Sequence, residues 1–327
     1  MADVAIIGAG VMGLATARAL ARVGREVVVY EQFERGHARG SSHGRSRIFR
    51  LAYSEPHWVR LAQEALAGWR ELEAESAERL LELTGLIEIV TDLSESSAAA
   101  LDACHIAWEQ LGREEVERRF PLRIPAGSFG VLQPEAGIVR ADRALAAFAR
   151  GIDVRYGTRV RSLAEVDAAC VVVTAGAWAN DLVQPPLPVR VTRETVCYFR
   201  LADPRPVPAF VSFGPHSGGI CLYALRDPVH GIKAAAHHAG PEVDPGENGK
   251  PDTALVDKVA AWVAEHVPLA DSQPVETQTC LYTTTADESF VLERRGRVVV
   301  GSACSGHAFK FAPAIGARLA SLALEVL

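Results

Sequence analysis

An α/β fold joined to a second domain with a mixed, largely antiparallel β-sheet is what this sequence predicts, on three observations. The stretch Val4–Glu31, VAIIGAGVMGLATARALARVGREVVVYE, runs from an apolar strand into Gly8-x-Gly10-x-x-Gly13, then a helix, a second strand and an acid. A second apolar run, Cys170–Thr174, suits the interior of a parallel sheet and ends on the tight junction Ala175-Gly176-Ala177-Trp178. Beyond Pro185, Pro186 and Pro188, short strand-like segments follow one another with a single helical interruption.

Within the first stretch, Leu14, Ala17, Leu20 and Ala21 recur at helical spacing. Gly8 permits the tight turn, and Gly10 lets a pyrophosphate approach the helix N-terminus that Val11 and Met12 open. Gly13 lets helix and strand pack closely, and Glu31 can take ribose hydroxyls. An adenine dinucleotide on a Rossmann-type domain is therefore expected. The carboxylate would repel a 2′-phosphate, which disfavours NADP, whereas the motif alone does not separate NAD from FAD.

Gln32–Ser46 is too rich in Gly, Ser, His and Arg for a regular element, and Pro56 opens a helix with Trp58, Leu61, Ala62, Ala65, Leu66, Trp69 and Leu72 on one face. Leu86–Val90 is expected as a strand leaving the nucleotide fold, residues 95–119 as helical, and Arg143–Ala149 as a helix started by Asp142. Val154–Arg161 and Cys170–Thr174 should be strands that return to it. Further strands are expected over Val189–Leu201, Val207–Phe213, Ile220–Leu225, Gly231–Ala235 and Thr277–Tyr282, with the helix Asp252–Val267 among them. Strand Arg297–Val300 and helix Pro313–Val326 close the chain. The nucleotide domain is thus expected to be discontinuous, over 1–80, 138–186 and 285–327, with 81–137 and 187–284 forming the substrate domain.

The 327 residues suffice for about two domains and a substantial core. A net charge of -6 and a pI near 6.0 speak against nucleic acid or an acidic membrane as partner, and no apolar run reaches the ~18 residues of a membrane span. The N-terminus lacks the basic region of a signal peptide, and six cysteines at irregular spacing suit a reduced, cytoplasmic protein.

Several residues could carry chemistry. Ser42-His43-Gly44-Arg45-Ser46-Arg47-Ile48-Phe49-Arg50 concentrates three arginines, whose planar forks suit a carboxylate; a solvated loop or one touching cofactor phosphates is the equal alternative. Cys280, in an alternating strand, reads on its own as a small buried hydrophobe. Lys233, between Ile232 and Ala234, must snorkel at an edge or point into a polar cavity. Ser305-Gly306-His307-Ala308-Phe309-Lys310 precedes the last helix, either as a plain turn and cap or with its donors facing a ligand. Cys304-x-x-His307 and the pair His237, His238 lack a second ligand set at zinc spacing, so no metal site is expected, and no Gly-x-Ser-x-Gly elbow supports a hydrolase. A nucleotide-binding regulatory module without turnover stays open at this point.

Together, GAGVMGLATARALA at 8–21, GSSHGRSRIFRLAY at 40–53, VVVTAGAW at 171–178, GIK at 231–233, CLYTTTADESF at 280–290 and SGHAFKFAPAIG at 305–316 resemble the monomeric sarcosine oxidase and N-methyltryptophan oxidase family of D-amino-acid-oxidase-like flavoproteins. The resemblance implies FAD, held by the glycine turn, Glu31, Ser42, Ala175, Gly176, Trp178, Gly306, His307 and Phe309, and attached covalently through Cys280. It implies that Arg50 and Lys310 bind the substrate carboxylate, that His43 and Arg47 lie beside the flavin, and that Lys233 activates oxygen through water. Tyr282, Tyr223 and His237 are implied as walls of the substrate site. Ser289 stands at a commonly histidine position, Arg45 at a commonly acidic one, and the region 150–170 is compressed. The expected activity is oxidation of a small secondary or N-methyl amino acid by O2, giving an imine and hydrogen peroxide, in a monomer. A cyclic imino acid or a biosynthetic intermediate is the alternative substrate.

Overall fold

A computed structural model describes residues 2–203, 205–212, 219–247 and 249–327. The opening stretch folds as β1 (Ala2–Ile7), α1 (Val11–Arg22) and β2 (Val27–Tyr30), with β1 and β2 parallel and Val4 opposite Val27. Two of its glycines have no substitute. Gly8 has φ +104°, and a Cβ on Gly13 would lie 2.0 Å from the Gly8 carbonyl oxygen.

The polar loop ends in a short strand the sequence did not suggest, β3 (Ser46–Phe49), and α2 (Pro56–Ser76) follows with Leu61, Ala62, Ala65, Trp69 and Leu72 buried. After β4 (Leu81–Glu82) and β5 (Leu86–Val90), the segment 95–119 departs from the helical expectation. It forms α3 (Ala98–Ala103), β6 (Glu109–Leu111) and α4 (Arg113–Arg119). His105 turns the chain at φ +56°, and Val116 is the one buried residue of α4, so no apolar stripe exists to hold one long helix. β7 (Phe129–Gln133), β8 (Gly137–Arg140), α5 (Ala141–Ala149) and β9 (Asp153–Arg155) come next. The strand expected to reach Arg161 stops at Arg155, because Gly157 turns at φ +68° and donates its N–H to the Phe33 carbonyl at 2.9 Å. β10 (Ala168–Val173) ends in the tight turn at Gly176, φ +56°.

The remaining strands are β11 (Val189–Arg200), β12 (Ala209–Ser212), β13 (Cys221–Asp227), β14 (Gly231–His237) and β15 (Glu276–Thr285). Phe213, the expected end of one of them, lies outside the described residues. Between β14 and β15, α6 (Thr253–His266) is capped by the Asp252 carboxylate, which accepts from the Ala254 and Leu255 amides. An unexpected strand, β16 (Val291–Arg295), pairs antiparallel with β17 (Val298–Ser302), and α7 (Ala312–Leu324) follows.

Three sheets result. The first has the order β16-β17-β10-β1-β2-β9, parallel except at β16. The second, order β15-β11-β14-β13-β12-β5-β7-β6, is antiparallel except for the parallel pair β12 and β5, and a small sheet β3-β8-β4 completes the set. One face of the eight-stranded sheet packs under α6, where Phe210 stacks on Trp262 at 5.0 Å within an apolar cluster that also holds Ile87 and Ile89. Side chains alternate along β5, so Leu86 and Glu88 project from the opposite face. Among the described residues no helix is long and apolar enough to cross a membrane.

Candidate active site

A cavity of about 570 Å³ is lined by the glycine turn, the 37–58 segment, the free face of the eight-stranded sheet and the turn before α7. Every site residue named from the sequence lines it except Gly13, which lies beneath the turn against Gly8.

The nucleotide end is made mainly of backbone. Gly8, Gly10, Val11 and Met12 present the start of α1, and the Ser42 hydroxyl accepts from the Val11 amide at 3.0 Å, folding the 40–46 loop over the helix N-terminus. Glu31 is buried, and its two carboxylate oxygens accept from Ala9 (2.9 Å) and Phe33 (3.0 Å), so it fixes the glycine turn while lining the cavity. Ala175, Gly176 and Trp178 form the facing wall, the indole packing edge-on to Phe33 at 5.3 Å. A Cβ on Gly8 would meet the Thr174 carbonyl at 2.5 Å, and an anionic dinucleotide fits this cradle of close backbone and free helix N-terminus.

Two groups of side chains occupy the rest. In the first, His43 points its Nε2 at the Thr279 carbonyl (3.0 Å) and leaves Nδ1 buried without a partner among the described residues. Burial, with Arg47 and Lys233 nearby, lowers the His43 pKa to about 4, so the ring is neutral and Nδ1 offers a lone pair. Arg47 spends its donors on the carbonyls of Ser46 (2.9 Å), Ser41 (2.8 Å) and His43 (2.5 Å), locking its own loop. Its guanidinium lies 5.6 Å from the centre of the Phe309 ring. The Lys233 ammonium donates to the Ser46 carbonyl at 3.0 Å and is held well below the usual lysine range by burial and by Arg47. Cys280, 8% exposed, sits in the same group, and burial raises its thiol pKa against the pull of Arg47 and Lys233.

In the second group, Tyr53 joins two cations. Arg50 lies over its ring at 4.5 Å, and Lys310 donates to its hydroxyl at 2.9 Å. The hydroxyl in turn donates to His307 Nδ1 (3.1 Å), whose Nε2–H meets the Glu288 carbonyl (3.1 Å). Burial and Arg50 push Lys310 well below its ordinary pKa; burial and Lys310 bring His307 down to about 3. His237 reaches the Tyr282 hydroxyl at 3.3 Å and is likewise kept neutral by burial and by His238. Tyr223 lines the cavity from β13, its ring edge-on to His237 at 6.2 Å. Gly306 closes against this group, since a Cβ there would come within 2.5 Å of both His237 and Tyr282.

Sequence reasoning missed Tyr53, though it falls three residues after Arg50 in RIFRLAY, and Tyr198, whose signal is its place on an apolar strand opposite Lys233. The arginine at position 45 finds two acids, Asp227 and Glu276, each at 3.0 Å, and lies 4.6 Å over the Tyr198 ring. Ser289 donates to Asp287 at 2.8 Å within a turn. Among the described residues no group of three or more His, Cys, Asp or Glu is placed to hold a metal ion.

Comparison with known proteins gives the family. Residues 3–322 match the family model described as FAD dependent oxidoreductase (DAO). The chain is 32% identical to the peroxisomal sarcosine oxidase of Homo sapiens, covering 99% of this chain and 92% of that one. It is 28% identical to the N-methyl-L-tryptophan oxidase of Yersinia pestis, covering 96% and 92%. Its fold superposes on the open form of NikD, an amino acid oxidase essential for nikkomycin biosynthesis, with TM-score 0.88 at 29% identity over 99% of this chain and 94% of that one. The chain belongs to the DAO family of FAD-dependent oxidoreductases, alongside sarcosine and N-methyl-L-tryptophan oxidases.

Proposed function

We propose that this enzyme oxidises a small secondary or N-methyl amino acid to an imine, with O2 as the final acceptor and hydrogen peroxide as its product. The observation that carries this reading is the convergence of Arg50 and Lys310 on Tyr53 inside the cavity that begins at the nucleotide turn. FAD, bound from the glycine turn toward Cys280, supplies the acceptor for the hydride equivalent removed beside the amine.

Arg50 and Lys310 take the substrate carboxylate, and the incoming anion stabilises the charged form of a lysine that burial otherwise disfavours. Tyr53 holds Lys310 in place, and fixing the carboxylate at two points orients the carbon to be oxidised, making the reaction effectively intramolecular. Tyr282, buried, and Tyr223 and His237, half-buried, wall the site, and His237 stays neutral, so it can accept a hydrogen bond from an amine but adds no charge against it. Lys233 is proposed to hold a cation where oxygen is reduced, in a site short of water. Cys280 is proposed as the point of covalent attachment, its sulfur lining the cavity in the same group as His43 and Lys233. Six unpaired cysteines support a reducing compartment, for which we propose the cytoplasm, and a monomer is the proposed state.

The test is peroxide release across sarcosine, other N-methyl amino acids, proline and pipecolate, together with acid precipitation of the yellow protein. Oxidation of the N-methyl compounds with flavin retained in the pellet is expected. Turnover confined to proline or pipecolate would move the substrate to cyclic imino acids, and flavin released by acid would remove the bond to Cys280.

A further inference from the structure

We infer that the cavity carries a second recognition subsite, a buried carboxylate at Glu88 that takes the cationic end of a basic amino acid substrate; this rests on the oxidase reading above and narrows its substrate class.

Glu88 interrupts the apolar strand Leu86-Ile87-Glu88-Ile89-Val90 and is 5% exposed. A carboxylate in such a run is costly unless something compensates it. Its partners among the described residues are the Ser97 amide (3.0 Å) and the Ser97 hydroxyl (2.6 Å), and both fall on Oε2. The other oxygen belongs to a side chain that lines the cavity.

The sheet register says where this carboxylate stands. Val196 is opposite Ala235, Ala235 opposite Tyr223, Tyr223 opposite Val211, and Val211 opposite Glu88. These residues form one row across the free face of the sheet, from the strand beside Cys280 to the far wall. Strands lie ~4.8 Å apart, so Glu88 is about 10 Å from Tyr223 along the row. A hydrogen bond covers ~3 Å of that, leaving ~7 Å, or about six bonds of an extended chain. The side chains of lysine and arginine have this reach.

Arg50, Lys310 and Glu88 line the same cavity, Glu88 from the strand beyond Val211. Glu55, Asp287 and Glu288 line it too, but the burial that sets Glu88 apart makes its charge the costlier one to leave without a cationic partner. A ligand whose carboxylate is taken by Arg50 and Lys310 and whose side chain carries an ammonium or guanidinium past Tyr223 satisfies Glu88 as well, and a sarcosine-sized ligand does not reach it. Glu88 thereby sets specificity, although its bonds to Ser97 also tie the start of α3 to β5.

The experiment compares kcat/KM of the holoenzyme for Nα-methyl-L-lysine and Nα-methyl-L-norleucine, two substrates of nearly equal length that differ in the terminal charge, in the wild type and in Glu88→Gln. The glutamine keeps an oxygen for Ser97 and loses the charge. The wild type should prefer the lysine derivative by about tenfold to a hundredfold, the range of a charged hydrogen bond in a desolvated site. Glu88→Gln should erase that preference through KM, with the norleucine value and the thermal midpoint unchanged. A preference equal in both proteins overturns the subsite, as does a wild type that oxidises the norleucine derivative without favouring the lysine one. The wild-type ratio decides alone if the variant does not fold. Should neither compound nor sarcosine be oxidised, the oxidase reading itself fails and the subsite falls with it.

Discussion

At one end of the cavity Gly8, Gly10, Val11 and Met12 lie within five consecutive positions and present mainly backbone, while at the other Arg50 and Lys310 stand 260 positions apart and meet only through Tyr53. The first end is held by parallel strands whose central residues, Val4–Ile6, Val29 and Cys170–Val173, are fully buried, and its buried carboxylate, Glu31, has both oxygens bonded to backbone amides. The second buries lysines and histidines at a desolvation cost, which their neighbours only partly offset. The nucleotide end is therefore defined by what cannot be added to it, and the catalytic end by what cannot be removed.

The sharpest way to break the first end is to add one methyl group. In Gly13→Ala the new Cβ would lie 2.0 Å from the Gly8 carbonyl and 2.7 Å from Thr174 Oγ1, and neither can retreat without moving β1 or β10. We expect a loss of at least about 3 kcal/mol and a protein purified without flavin. Bound flavin per chain and the thermal midpoint measure this, and a yellow protein of normal midpoint would show the turn to be more pliant than its geometry implies.

At the second end the largest expected effect is kinetic. Lys233→Met keeps the length of the side chain and removes the cation, so anaerobic reduction by substrate should stay near normal while reoxidation by O2 slows about 10²- to 10³-fold, the usual weight of one preorganised charge stabiliser. Stopped-flow measurement of the two half-reactions separates them. Unchanged reoxidation would leave Lys233 as a structural donor to the Ser46 carbonyl and nothing more.

Acid should open the catalytic end before the nucleotide end. His43 and His307 have folded-state values of about 4 and about 3, below the ordinary 6.5, so between those values and 6.5 the unfolded chain binds more protons than the folded one. Stability is then complete above pH 6.5 and falls as pH drops toward 4, by on the order of 3 kcal/mol for each ring. Denaturant midpoints taken from pH 7 to pH 4 should show this slope, and His43→Gln with His307→Gln should reduce it, leaving the part that the likewise neutral His237 contributes.

The same contrast explains what could be read from the sequence. The glycine turn was legible because local backbone geometry demands glycine at fixed spacing, and Asp252 announced α6 for an equally local reason. Residues 95–119 misled, since their charges suit a helix surface but only tertiary pairing with β7 makes Glu109–Leu111 a strand. Strand β3 was hidden in a polar loop for the same reason, its partner β8 lying some 90 positions on. Lys233 drew notice as a charge within an apolar strand, whereas Tyr53 did not, because nothing local distinguishes a tyrosine that bridges two cations from one that fills a core.

The smallest expected effect is also the most specific to the side-chain-built end. Arg50→Lys preserves the charge, so long-range attraction for an anion should survive and the fold should be intact. What changes is shape. The guanidinium lies over Tyr53 at 4.5 Å and, being a planar fork, can present two parallel donors to a carboxylate, whereas an ammonium offers a point charge with more conformational freedom. Lys310 remains to hold one oxygen, so binding should weaken rather than vanish, by about tenfold in KM, with kcat falling less. Equal losses in kcat and kcat/KM would instead mean that Arg50 acts mainly in the transition state, and unaltered kinetics on a good substrate would place the carboxylate elsewhere in the cavity.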